Sequence, residues 1–334
     1  MATNGTFEER YRRITLTGAP VEDGANVTGS FLGPSVLRAI GLPGMLTRLG
    51  CDVVDYGDLT AAAGAEPLPM CNGKRVHKAS NVARWLRVLS DTAYELARER
   101  DLPVFLGGDH SLSMGTVEGI AQYCTEIGRE LFVLWLDAHP DFNTPSISPS
   151  GNMHGMSLAY LCGEPGFDTV LGVTPRNPIN PSNVFLFGTR AIDVGEGELV
   201  HRRGVNMIGM DEIKQLGVAL SIRRVLEIVA KRGGVLHLSL DADVLDPSFA
   251  PGVNVPVSGG VTYGQAHLIM QMLNQSGLVT SLDVVELNPL LDVASKSARL
   301  TAELVACLFD RKAAGRHDHS SLEVCYGHHA TQIN

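Results

Sequence analysis

Asp137, His139 and Asp141 follow the apolar run Leu131–Leu136 at alternate positions. In an extended chain, residues i, i+2 and i+4 share one face. The spacing therefore predicts a buried strand that delivers three metal-type ligands into one site at its carboxyl end. Asp241 and Asp243 follow a second apolar run, 235–240, in the same i, i+2 relation. His110 follows a third, LPVFLGGDHS at 102–111, in which two glycines allow a tight turn beside a site. Pooled, these are four carboxylates and two imidazoles. Four converging carboxylates repel one another and are costly to bury without counter-charge. Two divalent cations balance them, and hard oxygen ligands with only two imidazoles suit Mn²⁺ or Mg²⁺ better than zinc or copper. Two such ions about 3.5–4 Å apart share a water and lower its pKa, which points to metal-activated hydrolysis.

Other polar groups have other readings. Asp109, next to His110, reads as a helix N-cap. His154, twelve residues past Phe142 in a Gly-rich loop, reads as a proton shuttle. Glu286 closes the last apolar run and reads either as a group of the site or as a plain solvated strand-end carboxylate. His237, inside an apolar run, reads as core.

To bring these groups together, strands and helices must alternate. Strands are predicted at 13–20, 51–56, 102–107, 131–136, 183–188, 205–209, 235–240 and 279–287. Helices are predicted at 34–49 with a break at 41–44, and at 79–100, 113–123, 221–232, 262–273 and 297–309. Segments 21–33, 59–72 and 250–260 read as loops, the first of them long and near the surface. This alternation implies an α/β fold, a mostly parallel sheet with helices on both faces. In such sheets ligands bind beyond the carboxyl ends of the strands, where every polar cluster above falls.

With 44% hydrophobic and 19% charged residues, the chain affords a large core. No repeat or linker divides it, so residues 1–334 are expected to form a single catalytic domain. Residues 311–334, with His317, His319, His328 and His329, are expected to form a solvated tail. The net charge of -9, with no basic stripe, excludes nucleic acid as a partner. No apolar run approaches the roughly 20 residues that span a bilayer, and the start lacks an apolar signal core, so a cytoplasmic protein is expected. The six cysteines show no CxxC pairing and read as free thiols.

GGDHS at 107–111, DAHPDFNT at 137–144, SPSGNMHGM at 148–156 and SLDADVLDPSFAPG at 239–252 stand in the order of a known set of signature blocks. With GAP…GPSVLRAIGL at the start and DVVELNP at the end, the chain resembles the ureohydrolase superfamily over roughly residues 12 to 310. Within it, the chain is more similar to the arginases than to their relatives. That resemblance implies a three-layer α/β/α sandwich around about eight strands, with a binuclear Mn²⁺ site. It places His110, Asp137, Asp141 and Asp241 around one ion and His139, Asp137, Asp241 and Asp243 around the other. It further implies that a hydroxide shared by the ions attacks a guanidinium carbon, giving urea and an amine. Asp141 passes the proton toward the leaving amine, His154 relays protons to solvent, and Glu286 pairs with the guanidinium. Asn143, Ser150 and Asn152 match the arginase positions that bind an α-carboxylate, and Asp193 and Glu196 those that face an α-ammonium. L-arginine is thus the implied substrate, and a homotrimer or homohexamer the implied assembly.

The chain departs from the arginase pattern at Asn254-Val255-Pro256, where arginases usually carry Gly-Thr-Pro. Val255 cannot make the hydrogen bond of a threonine, a loss on the order of 1 kcal/mol. The substitution keeps open a different guanidino substrate such as guanidinobutyrate, agmatine or N-hydroxyarginine, or a catalytically weak binding protein. Pro140 and Ser157 are milder departures, and Pro140 pre-sets φ between His139 and Asp141.

Overall fold

The computed structural model describes residues 13–61, 70–71 and 74–310. The expected C-terminal tail with its four histidines, and Cys325, lie outside the described residues. Ten strands are described: β1 (Ile14–Ala19), β2 (Val53–Asp58), β3 (Met70–Cys71), β4 (Lys74–Arg75), β5 (Leu102–Gly107), β6 (Leu131–Leu136), β7 (Val184–Phe187), β8 (Asn206–Ile208), β9 (Val235–Asp241) and β10 (Val279–Val285). Eight of them form a wholly parallel sheet in the order β2-β1-β5-β10-β9-β6-β7-β8, and β3 and β4 form a small hairpin apart from it. The chain steps from β5 to β6 across the gap that β10 and β9 later fill. This reversal opens a crevice at the carboxyl ends of the central strands.

The central strands are fully buried along their length because both faces are covered. Alternate side chains feed two separate cores. Phe132, Leu134 and Leu136 of β6 pack with helices Gly33–Ala39, Leu42–Arg48, Val218–Lys231, Tyr263–Ser276 and Lys296–Leu308. Leu131, Val133 and Trp135 pack on the other side with helices Ala79–Arg98 and Ser113–Glu126. The result is the expected three-layer sandwich.

Several expectations need correction. The loop 21–33 reaches the surface as expected at residues 26–28, but it is anchored in the interior on either side. Val21 and Ser30 are fully buried, and the Gly24 N–H donates to Asp109 Oδ2 at 2.8 Å. A Cβ at Gly108 would lie 1.7 Å from the Val21 carbonyl oxygen, so the second glycine of GGDH is what lets this loop close over the strand end. Four helices fall outside those predicted: Ser157–Leu161, Phe167–Leu171, Val194–Arg203 and Met210–Leu216. They are short or glycine-bearing, and tertiary packing outweighs their weak propensity. Cys51, Cys124, Cys162 and Cys307 are buried free thiols, as expected for the described cysteines.

His237 is core, as expected, but it belongs to a buried polar network. Its Nδ1 lies 2.8 Å from Ser281 Oγ, and its Nε2 lies 3.2 Å from Asp283 Oδ2. Asp283 Oδ2 also accepts hydrogen bonds from Ser113 Oγ at 2.6 Å and Thr116 Oγ1 at 2.7 Å. A carboxylate with no solvent contact is tolerable only while these donors face it. Asp283→Ala should therefore lower unfolding stability by on the order of 3 kcal/mol, by stranding the buried hydroxyls of Ser113 and Thr116. The urea midpoint of the variant against wild type checks this.

Candidate metal centre and its surroundings

The six ligand-type groups meet at the carboxyl ends of β5, β6 and β9, but turns rather than extended strand bring them together. β6 stops at Leu136, and Asp141 has φ +50°, a left-handed conformation rare outside glycine and asparagine. Asp137, His139 and Asp141 therefore do not share a strand face. Asp241 ends β9, and its Oδ1 accepts the Asp243 N–H at 2.7 Å as a short 3₁₀ turn begins. His110 likewise opens a 3₁₀ turn, whose N-cap is Asp109, accepting from the Ser111 N–H at 2.9 Å. The N-cap reading of Asp109 holds.

His110 is the pivot. Its ring stacks on Trp135 with centroids 3.9 Å apart and planes 3° from parallel. Its Nε2 lies 2.8 Å from Ser239 Oγ. Its Nδ1 is ringed by Asp137 Oδ2 at 3.0 Å, Asp141 Oδ2 at 3.1 Å and Asp241 Oδ2 at 3.1 Å. None of these oxygens lies in hydrogen-bonding line, so Nδ1 is buried without a hydrogen-bond partner. A nitrogen lone pair gathered with carboxylate oxygens in this way forms a candidate cation site. His139 Nδ1 makes a second focus, 3.1 Å from Asp243 Oδ2 and 3.4 Å from Asp137 Oδ1. The chain thus offers two sets, His110–Asp137–Asp141 and Asp137–His139–Asp243, with Asp137 common to both.

Supporting donors hold the carboxylates in place. Trp135 Nε1 donates to Asp137 Oδ2 at 2.9 Å, the His139 N–H to Asp137 Oδ1 at 2.6 Å, and the Ala138 N–H to Asp243 Oδ1 at 3.0 Å. Burial, with neighbouring negative charge, pushes the Asp141 carboxyl up to about 6 and raises Asp241 and Asp243 as well. Burial opposes charge on His139, yet the carboxylates of Asp137 and Asp243 push it up to about 12. All these shifts have one sense: the pocket draws in positive charge. The donor set and the orphaned Nδ1 therefore fit divalent cations.

The other expected residues surround this centre. Glu286, at φ +61°, accepts the His110 N–H at 2.8 Å and lies 2.9 Å from His154 Nδ1, both through Oε1. Burial disfavours charge on His154, but the Glu286 carboxylate outweighs it and pushes the imidazole up to about 9. Asn143 Nδ2 donates to Asp193 Oδ2 at 3.0 Å. Ser150 Oγ accepts the Asn152 N–H at 3.2 Å, in a loop tied down where the His77 N–H meets the Gly151 carbonyl at 2.9 Å. Glu196 is 3% exposed and accepts the Phe142 N–H at 2.8 Å and the Asp193 N–H at 3.3 Å. The D-x-x-E spacing of Asp193 and Glu196 is also a capping box for helix Val194–Arg203, a signal that marks this helix in the sequence. Val255 is 42% exposed. Sequence reasoning gives Trp135 and Ser239 no role and notes Asn254 only as a departure, because the contacts of Trp135 and Ser239 with His110 and of Asn254 with Glu286 join residues distant in the chain.

Two tests follow from this geometry. Chelation should lower the melting temperature, and two equivalents of divalent cation per chain should restore it, since binding to the folded form alone stabilises it. Elemental analysis that saturates at one ion per chain would break the two-site reading. For Glu196, burial pushes the carboxyl from 4.5 up to about 8. The native state then keeps a proton that the unfolded chain releases, so stability falls as pH rises through that interval. Glu196→Gln should flatten this part of the pH dependence of melting.

Comparison with known proteins agrees with the site. The family model described as "Arginase family" matches residues 12–310. Arginase from Agrobacterium fabrum is 45% identical over 310 residues, covering 92% of this chain and 94% of that protein. The solved arginase of Bacillus caldovelox is 37% identical with a TM-score of 0.81, covering 89% of this chain and 98% of that one. An Entamoeba histolytica arginase solved in complex with L-ornithine is 27% identical, with a TM-score of 0.79, covering 90% of this chain and 99% of that one. With its parallel eight-stranded sheet, its aspartate and histidine centre and these relatives, the chain belongs to the arginase family.

Proposed function

We propose that this protein is a single-domain hydrolase that converts L-arginine and water to L-ornithine and urea at a two-manganese centre. His110, Asp137, Asp141 and Asp241 would hold one ion, and His139, Asp137, Asp241 and Asp243 the other. When bound, such a pair supplies a polarised, acidified water as the nucleophile. The chain's own residues do the rest. Glu286 receives the guanidinium, its charge offsetting the cation in a buried site. Asp141 accepts the proton that the attacking water loses and delivers it to the leaving amine. His154, protonated near neutral pH beside Glu286, exchanges protons between this site and solvent.

The amino-acid end supports arginine over a simple alkylguanidine. Asn143, Ser150 and Asn152 would receive the α-carboxylate through their hydrogen-bond donors, and Asp193 and Glu196 would face the α-ammonium. Asn143 Oδ1 and Asn152 Oδ1 are buried and lack a partner within the described chain. An ammonium, or a water bound between it and the amide, satisfies such acceptors. The observation that carries the reading is this joint placement: a cation-drawing centre, a buried carboxylate beside it and orphaned acceptors beyond.

Val255 favours one alternative. An apolar, exposed side chain at a position that usually supports the guanidinium end weakens selection for an unmodified guanidino group and leaves room for N-hydroxyarginine, whereas guanidinobutyrate and agmatine, whose guanidino group is unchanged, test the amino-acid end. Urea release from these compounds, with Mn²⁺ present, separates the readings: arginine should be turned over best, and equal rates on agmatine, which lacks the carboxylate, would remove the role given to the carboxylate-binding residues. Val255→Thr should raise kcat/KM on arginine by about tenfold, as expected for one regained hydrogen bond.

A further inference from the structure

The Glu286 carboxylate is held on both oxygens. Oε1 faces the His110 N–H and His154, and Oε2 accepts a hydrogen bond from Asn254 Nδ2 at 2.9 Å. Asn254 is itself oriented from behind. Asn288, fully buried, donates from Nδ2 to Asn254 Oδ1 at 2.6 Å and to the Thr28 carbonyl at 3.0 Å. Asn288 Oδ1 accepts the Leu290 N–H at 2.9 Å. Both hydrogens of the Asn288 amide are thus committed, and its oxygen is committed too. Asn254 must then present its oxygen to Asn288 and its N–H to Glu286. Only one arrangement satisfies every group, because the terminal carboxylate can only accept. The backbone supports this chain of contacts, with Val253 bridged to Leu287 and the Asn288 N–H donating to the Gly252 carbonyl at 2.8 Å.

We infer that Asn254 is the positioning residue for Glu286: it fixes the plane of the carboxylate that receives the guanidinium group, and so sets affinity for the guanidino end of the substrate. The inference deepens the proposed function and rests on its assignment of Glu286. It also accounts for the departure from Gly-Thr-Pro as a pair of changes. Val255 removes a hydroxyl at the guanidinium end, while Asn254 adds an amide that holds the carboxylate instead. A glycine at 254 has no side chain to make this contact. Asn254 is 9% exposed and faces inward, whereas Val255 is 42% exposed, so the asparagine is the better placed of the two to act on Glu286.

The test compares Asn254→Ala and Asn254→Asp with wild type, all loaded with Mn²⁺. Guanidinium ion is the probe for the Glu286 end alone, and ornithine, which lacks that group, is the probe for the amino-acid end. Asn254→Ala should weaken guanidinium binding and raise KM for arginine about tenfold, with a smaller change in kcat. Asn254→Asp keeps the shape but sets an acceptor against Glu286, and should weaken both about a hundredfold. Ornithine affinity and bound-metal content should not change. A role in packing alone predicts the reverse order, with the isosteric Asn254→Asp variant near wild type and the alanine variant worse. That order, or guanidinium affinity unchanged in both variants, would overturn the inference. Guanidinium binding is read by calorimetry, so the test of Asn254 stands whichever guanidino compound is hydrolysed best. Failure of the wild type to release urea from arginine would count against the substrate reading alone.

Discussion

Four aspartate carboxylates lie buried within contact of two imidazoles, at the carboxyl ends of adjoining parallel strands. Grouping like charges away from water is unfavourable unless opposite charge is supplied at the same place. The described structure meets this demand in layers. Backbone N–H groups of Ala138, His139 and Asp243, and the indole of Trp135, each donate to a carboxylate oxygen. The remaining oxygens and the His110 and His139 ring nitrogens face inward, toward points that suit cations. The sheet order follows the same need: β5, β10, β9 and β6 lie side by side at its centre, and each ends in a residue that lines or supports the pocket.

Two carboxylates of the pocket are placed with some backbone strain. Asp141 and Glu286 adopt left-handed φ angles of +50° and +61°, where a Cβ is disfavoured. Such conformations cost on the order of 1–3 kcal/mol each and persist where the surroundings over-determine them. Here the Leu158 N–H holds the Asp141 carbonyl, and the Gly108 carbonyl receives the Glu286 N–H at 2.8 Å. The strain turns both carboxylates out of the strand direction and into the pocket. Glu286 therefore faces His154 across 2.9 Å, so the group proposed to bind the cationic substrate already carries a cationic neighbour.

Behind the pocket, the same physics appears in neutral groups. His110 Nε2 rests on Ser239, and Ser113 and Thr116 close on Asp283 one layer deeper. A ligand whose outer nitrogen is hydrogen-bonded keeps a defined ring orientation and tautomer. The buried face of the sheet therefore serves both as core and as mount for the centre.

Much of this was legible in the amino-acid sequence. Apolar runs ending in Asp or His marked the buried strands and the groups at their ends, because a wholly buried parallel strand can carry polarity only where it emerges. The summed charge of the aspartates called for divalent cations before any geometry was known. The family blocks located Glu286 and His154. The tertiary structure alone decided how the ligands converge: the i, i+2, i+4 rule placed Asp137, His139 and Asp141 on a strand face, whereas the strand ends at Leu136 and a turn with positive φ swings Asp141 inward. It also decided that Gly24, in segment 21–33, is tied to Asp109 beside the site and that Asn254 reaches Glu286 from 32 positions away. These features rest on contacts between residues distant in the chain, and local pattern carries no record of which distant donor will satisfy a given buried acceptor.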